Sequence, residues 1–292
     1  VDEIAQDRAA EAETALAAGQ LMKARTLAVE GLVDEPDDAR LLRVAGRASL
    51  ELELDEAPRH LRALVRAVPQ DADAWRDLAF AEMESGDLSA SAEAFAKVLD
   101  LAPDDAAAMV HLAHARHALG QADEAVSLLL RAADVAPGRI DILRSMVGMA
   151  RSAGQVQTAL DGARRLVEFD PKDTLAALDV AELLLIDGQW RLAAAAFHRL
   201  RGVDTDEGHE AVACHGQAEA LVRAESWRQA LDVTIDATRV DRHQLTTDLL
   251  AFITSKLFGE ANREARSWEE LAADLADERV EHRRLHEEAA VL

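Results

Sequence analysis

The chain has no tyrosine, one cysteine and six prolines, and aromatic residues make up only 3% of its 292 residues. A single thiol, Cys214, cannot close an intrachain disulfide or supply a thiolate metal cluster, which removes disulfide scaffolds and Cys-based zinc folds. Cations are scarce as well: 32 Lys and Arg stand against 55 Asp and Glu, for a formal charge of −23. Phosphate backbones are held by clustered cations that release counterions, so a nucleic-acid partner is excluded, and docking on an anionic membrane face is equally disfavoured. No apolar run reaches the roughly 18 residues that a bilayer span needs, so membrane insertion is not expected. No basic stretch followed by an apolar run marks a signal peptide, and the expected location is the cytoplasm.

Hydrophobic residues nevertheless reach 49%, enough for a core, so the acidity does not signal disorder. Ala and Leu dominate that fraction; both favour helix over strand, which points to an all-helical fold.

Motifs for chemistry are missing. The sequence has no G-x-x-x-x-G-K phosphate loop, no G-x-G-x-x-G turn, no G-x-S-x-G elbow and no C-x-x-C. His209-Glu210 begins like a zinc-protease helix, but Ala213 stands where the second ligand belongs. No enzymatic activity and no cofactor are expected. His111, His114 and His117 recur every third residue, so neighbouring imidazoles could share a metal ion. Each step rotates about 60° around the helix, and no nearby carboxylate or thiolate completes the set; contact with peptide is the favoured role, and no metal is expected. His282 and His286 lie among Glu and Arg and read as a solvated face. Cys214 reads as a small buried hydrophobe.

The strongest positive signal is a period. Pro36, Pro69, Pro103, Pro137 and Pro171 fall 33, 34, 34 and 34 residues apart, and Gly19, Gly86, Gly120, Gly154 and Gly188 each lie 17 residues before the proline position of the period. Between them run two apolar stretches of helical spacing, separated by the Gly break and ended by the Pro stop, which describes a helix hairpin repeated along a solenoid. Asp37, Asp71, Asp104 and Asp173 follow the prolines and are expected to cap the next helix. Seven units are expected, beginning near Ala5, Ala39, Ala72, Ala106, Ile140, Thr174 and Ala211. Unit two lacks the turn glycine and is one residue short, with Pro58 in the first turn of its second helix. About three extra residues around Asp206-Glu207-Gly208 are expected between units six and seven.

Trp75, Leu78, Ala79, Ser91, Phe95 and Pro103 in unit three, and Met109, Leu112, Ala113, Ala125, Leu129, Ala132 and Pro137 in unit four, follow the pattern W-x2-L-G-x2-Y, A-x3-F, P. On these residues the chain resembles the tetratricopeptide repeat (TPR) family over roughly residues 4–242, which implies a right-handed α-solenoid superhelix of antiparallel helix pairs. The family's tyrosine slot holds Ala15, Ser49, Glu82, Arg116, Ala150, Leu184 and Leu221, so its aromatic wedge is missing. Residues 1–242 are therefore expected to form the solenoid and 243–292 to cap it, with a charged helix from about Arg263 to Ala290 packed on the last repeat. Its spacing of Trp268, Leu271, Leu275, Leu285, Ala289 and Leu292 is broken by Glu278 and His282, which disfavours a coiled-coil dimer.

The resemblance further implies that positions 2, 5, 9, 12 and 13 of each unit line a concave groove. In units two to five these positions carry Arg40, Arg43, Arg47, Arg76, Arg144 and Arg151 against Glu51, Asp73, Glu84 and Asp141, a net of +2 in a chain of −23. Two readings stay open. In one, the arginines pair with Asp73, Asp77 and Asp141 and hold the groove in shape. Alternatively Arg43, Arg47, Arg76, Arg144 and Arg151, with Phe80, His111 and His114, bind a partner protein or peptide through acidic or C-terminal carboxylate groups, which suit the planar guanidinium fork. The carboxylate clamp of chaperone-binding TPR proteins is not reproduced, since the nearest residues are Arg43, Arg47, Asp77, Val110 and His114. The asparagine ladder of sugar-transferase TPR arms is absent, Asn262 being the only Asn. Leu175, Leu178, Leu185, Ile186, Val212 and Val222 give units six and seven an apolar groove, which reads either as an interface or as the seat of the C-terminal helix. The expected function is a non-catalytic scaffold or adaptor; a self-assembling platform or homo-oligomer, and the regulatory arm of a larger enzyme, are the alternatives.

Overall fold

In the computed structural model, which describes residues 2–201, 207–240, 249–254 and 256, every regular element is a helix. The helices are α1 (Asp2–Ala17), α2 (Leu21–Asp34), α3 (Ala39–Glu51), α4 (Ala57–Ala67), α5 (Ala72–Glu84), α6 (Leu88–Leu101), α7 (Ala106–Ala118), α8 (Ala122–Val135), α9 (Ile140–Ser152), α10 (Val156–Phe169), α11 (Thr174–Ile186), α12 (Trp190–Leu200), α13 (Glu207–Arg223) and α14 (Trp227–Val240). The odd-numbered helices from α3 to α11 begin at Ala39, Ala72, Ala106, Ile140 and Thr174, the residues at which repeat units were expected to start. At the ends the expectation needs correcting. α1 begins at Asp2 instead of Ala5, and Glu207 and Gly208, expected in a connection, belong to α13, where an acidic residue in the first turn favours helix.

Turn chemistry sets these boundaries. Gly19, Gly86, Gly120, Gly154 and Gly188 all take positive φ, between 70° and 82°, at the break inside each hairpin. Where unit two has no glycine, Glu53 takes φ 54°, and Glu225 does so in unit seven at φ 55°. The bonding is the same in either case: Asp87 N–H donates to the Glu82 carbonyl and Leu54 N–H to the Ser49 carbonyl, each at 2.9 Å. An L residue forced into this region costs roughly 1–2 kcal/mol.

The helix caps correct one detail of the sequence reading. The capping carboxylates are Asp38, Asp71, Asp105 and Asp173, so Asp37 and Asp104 lie one residue too early. The reason is the β-turn that carries proline at its second position: Asp71 N–H donates to the Val68 carbonyl at 3.1 Å and Asp105 N–H to the Ala102 carbonyl at 3.2 Å. The fourth turn residue, two after proline, thus becomes the cap, and Pro58 sits in the first turn of α4 as expected.

Residues 1–155 and 156–292 form two compact units. In the first, consecutive helices from α1 to α9 pack on one another, and α3 also touches α1 and α5. Its core joins Ala12, Ala24, Ala28, Leu41 and Ala45 in one cluster and Leu61, Leu64, Leu78, Phe95, Val98 and Leu112 in another. The many alanines let helix axes approach closely, and Phe95, fully buried, is the largest side chain in it. In the second unit, α10 to α14 pack in order, α11 also touches α13, and Leu160, Leu183, Phe197, Cys214 and Ile253 are buried. Gly216 on α13 lies under the Phe197 ring, where an added Cβ would come 2.4 Å from Cζ. Burial pushes the Cys214 thiol above its ordinary pKa, in keeping with a packing role.

The tyrosine slot of the repeats is a real core position here, filled without aromatics. Ala15, Ser49, Ala150, Leu184 and Leu221 are buried in it, and Glu82 is only 1% exposed. The Glu82 carboxylate accepts both Arg62 Nε at 2.6 Å and Arg62 Nη2 at 2.7 Å, a bidentate pair reaching from α4 to α5.

Of the expected C-terminal cap, residues 249–254 are helical, with Leu250 and Ile253 buried and the Phe252 ring 6.0 Å from that of Trp227. The helix expected from Arg263 to Ala290, its heptad-spaced residues and His282 and His286 lie outside the described residues.

Candidate peptide-binding stripe on the first helices

All eight residues expected to contact a peptide lie within the unit of residues 1–155, on α3, α5, α7 and α9. Three of the arginines are tied to the next repeat. Arg43 Nη2 donates to Asp71 Oδ2 at 2.5 Å, Arg47 Nε to Asp77 Oδ2 at 2.5 Å, and Arg76 Nη2 to Asp105 Oδ2 at 2.7 Å. Arg76 also pairs with Asp73 one helical turn away. The Arg47–Asp77 and Arg76–Asp73 pairs are those considered in the structural reading of the sequence, whereas Asp141 pairs with Arg139 at the start of its own helix. Arg40 extends the same arrangement back to α1, its Nε 2.8 Å from Glu13 Oε1.

Two of the acceptors do double work. Asp71 Oδ1 takes the Asp73 and Ala74 N–H groups while Oδ2 takes Arg43; Asp105 Oδ1 takes Ala108 N–H while Oδ2 takes Arg76. Burial alone would raise the Asp105 carboxyl, but the Ala108 N–H and the Arg76 guanidinium outweigh it and hold the group below its ordinary pKa. Replacing Asp105 by Ala removes a helix cap and an inter-repeat ion pair together. The expected cost is about 1–2 kcal/mol, read from the urea midpoint, and Asp105→Asn, which can still cap, should recover about half of it.

The paired arginines remain partly exposed. Their side chains keep 30%, 40% and 32% of their surface exposed for Arg43, Arg47 and Arg76, and a guanidinium has five donors. Arg144, Arg151 and His114 are exposed on the surface as well.

Phe80 and His111 are brought together more closely than the sequence indicated. Phe80 meets Phe95 edge-on, at 5.3 Å and 90°, and His111 at 4.8 Å and 78°, while His111 stacks on Phe95 at 5.3 Å and 12°. The trio joins α5, α6 and α7, so both residues serve the packing between units three and four as well as the surface. Among the described residues no group of three His, Cys, Asp or Glu side chains has the arrangement of a metal site.

Burial pushes the His111 imidazole below its ordinary pKa; His114 and Arg139 act in the same direction and Asp105 against it. A base whose pKa is lower in the fold is protonated first in the unfolded chain. Stability from this group is therefore whole above the unfolded value near 6.5 and declines as pH falls toward the folded value. Thermal melts between about pH 7 and 5 should show that decline, and His111→Gln should flatten it. His60, also lowered by burial, leaves a residual slope.

Sequence reasoning missed the Arg62–Glu82 pair. The signal was available, since a carboxylate in a slot that is apolar or small in most units requires a cation nearby.

Residues 82–146 match the family model "Tetratricopeptide repeat". No curated protein sequence matches the chain. Among solved structures, the MamA protein is similar at a TM-score of 0.55 and 18% identity, over 59% of this chain and 94% of that one. YrrB, described as a TPR protein with an unusual peptide-binding site, is similar at 0.51 and 20% identity, over 64% of this chain and 96% of its own. Among the described residues, no helix is long and apolar enough to cross a membrane. Helix pairs at a period of 34 residues, the family match over residues 82–146 and the fold shared with these structures together show a solenoid of tetratricopeptide-type helix pairs.

Proposed function

We propose that the protein is a non-catalytic scaffold whose stripe of first helices, α3 to α9, holds an acidic segment or C-terminal carboxylate of a partner protein. The observation that carries this reading is the anchoring of Arg43, Arg47 and Arg76: each is held by a carboxylate of the next repeat yet keeps about a third of its surface exposed. A guanidinium fixed in this way loses little side-chain freedom on meeting a second carboxylate, so ordering costs less of the binding energy. Peptide recognition by YrrB, a protein of similar fold, is in keeping with it.

The test is recovery of partner proteins by wild type and by Arg43→Ala/Arg76→Ala/Arg144→Ala, with Asp71→Asn/Asp105→Asn as the companion. The triple variant should lose its principal partner by about tenfold or more. The Asn variant loosens the same anchors but leaves the arginines in place, and it should lose less of the partner than the triple variant. An unchanged partner set in the triple variant rejects the reading, and equal loss in both assigns the arginines to structure alone.

A second reading, self-assembly, has its own observation: Leu175, Ile186 and Val212 in units six and seven are 51%, 58% and 42% exposed. A molar mass by light scattering that stays at 31.6 kDa across a hundredfold range of concentration would dispose of it.

A further inference from the structure

In unit three the fourth position of the first helix, α5, holds Trp75. The Trp75 indole N–H donates to the Pro69 carbonyl at 2.9 Å, and the ring lies along a cleft of about 500 Å³ that also touches Arg62, Leu78, Ala94 and Lys97. In unit six the same position is Ala177. A cleft of about 790 Å³ opens over it between α10, α11 and α12, touching Arg164, Pro171, Val180, Ala196 and Arg199. The correspondence is residue for residue along the repeat: Arg62 with Arg164, Pro69 with Pro171, Leu78 with Val180, Ala94 with Ala196, and Lys97 with Arg199. What differs is that the indole is gone, and with it the donor for the proline carbonyl. The lining of the larger cleft, unlike that of the smaller, includes the proline itself and the residues around it.

We propose that the cleft over Ala177 is a recognition site for a tryptophan side chain presented by an acidic segment of a partner protein. Trp75 shows which side chain this slot of the repeat accommodates: a flat apolar ring, with one N–H aimed at the proline carbonyl. Aromatic side chains of this size bury about 150–250 Å² and gain from a placed acceptor. The acidic character follows from the rim. Arg164, Lys172 and Arg199 stand against Glu168 and Asp173; the Asp173 carboxylate is engaged in capping α11, with Ala176 N–H at 3.0 Å. Arg164 lies 3.9 Å from Asp161 on its own helix, and among the described residues Lys172 and Arg199 make no ion pair. Two unengaged cations beside an apolar slot favour an indole flanked by carboxylates over one flanked by neutral or basic residues.

The site is independent of the arginine stripe. It belongs to the other compact unit, and it lies on positions 1, 4 and 7 of α11, whereas the stripe uses positions 2, 5, 9, 12 and 13.

Isothermal titration of the full chain with the acetylated, amidated pentapeptide Asp-Glu-Trp-Glu-Asp tests it. Saturable one-to-one binding is expected, weakened about tenfold or more when the probe's Trp becomes Ala and severalfold when its acids become Gln or Asn. Ala177→Trp, which places this chain's own indole in the slot, should reduce binding by about tenfold or more while melting no lower than wild type. Lys172→Glu/Arg199→Glu should reduce it severalfold. Should Ala177→Trp fail to fold, Ala177→Leu supplies the same block. Absence of saturation by about 2 mM, or undiminished binding to the blocked variant, overturns the proposal.

Discussion

Phe95→Ala is expected to remove about 3–5 kcal/mol from the unit of residues 1–155. The ring is fully buried on α6, and beyond the aliphatic contacts of Leu78, Val98 and Leu112 it meets both Phe80 and His111. Deleting it costs the transfer energy of six ring carbons and leaves a void. Collapse of that void is limited, because Ala74, Ala79, Ala92 and Ala94 of the same cluster have no length with which to reach in. Solenoids are stabilised by adjacent repeats, so loss should spread from α5 to α7 before reaching α1. Urea unfolding followed by hydrogen exchange checks both parts. A loss below about 1 kcal/mol, or uniform loss of protection along the unit, would contradict this account of the core.

The second large effect is expected at a position that breaks the family pattern. Arg62→Ala strands the Glu82 carboxylate, which has 2% of its side chain exposed, without its bidentate partner. Breaking a buried pair from one side costs about 3–5 kcal/mol; Arg62 is 54% exposed and its removal admits water, so about 2–3 kcal/mol is expected. The informative control is the double variant Arg62→Met/Glu82→Tyr, which removes both charges and restores the aromatic that the repeat family carries there. It should regain most of the loss, since exchanging a buried ion pair for well-packed apolar groups is often neutral or better. If the double variant is no more stable than Arg62→Ala, the slot has no room for the wedge, and the ion pair is the only filling compatible with this spacing of α4 and α5.

These two sites mark where the sequence was and was not legible. Helix boundaries could be read because their causes are local: Gly86 needs no neighbour to turn left-handed, and Pro69 and Asp71 close a turn and cap a helix within four residues. The error at Asp37 and Asp104 was one of counting inside that turn, where two adjacent acids offered two candidates. The arginine stripe was legible as a stripe, with Asp73 and Asp77 among its partners, but the parts played by Asp71 and Asp105 were not. Arg76 has acids within reach both one turn away and in the following unit, and only the helix packing shows that it bonds to Asp73 and Asp105 together. Phe80 and His111 were placed on a surface, yet they also stack on Phe95, a residue about half a unit away in sequence from each. The cleft at Ala177 was hidden for a different reason: it is visible only as a difference between repeats, by asking what stands in each unit where Trp75 stands in the third.

Asp71 and Asp105 each start their own helix with one carboxylate oxygen and hold an arginine of the preceding repeat with the other. Nearest-neighbour descriptions of repeat proteins keep an intrinsic energy for each repeat apart from a coupling energy across each junction. A carboxylate shared in this way contributes to both quantities, because a frayed first turn in one repeat also releases the side chain that binds it to the one before. The junctions from α3 to α7 are thereby weighted toward all-or-none behaviour. This stretch of the array gains resistance to unravelling from an open end, and it does so through two oxygens of one short side chain without a larger core.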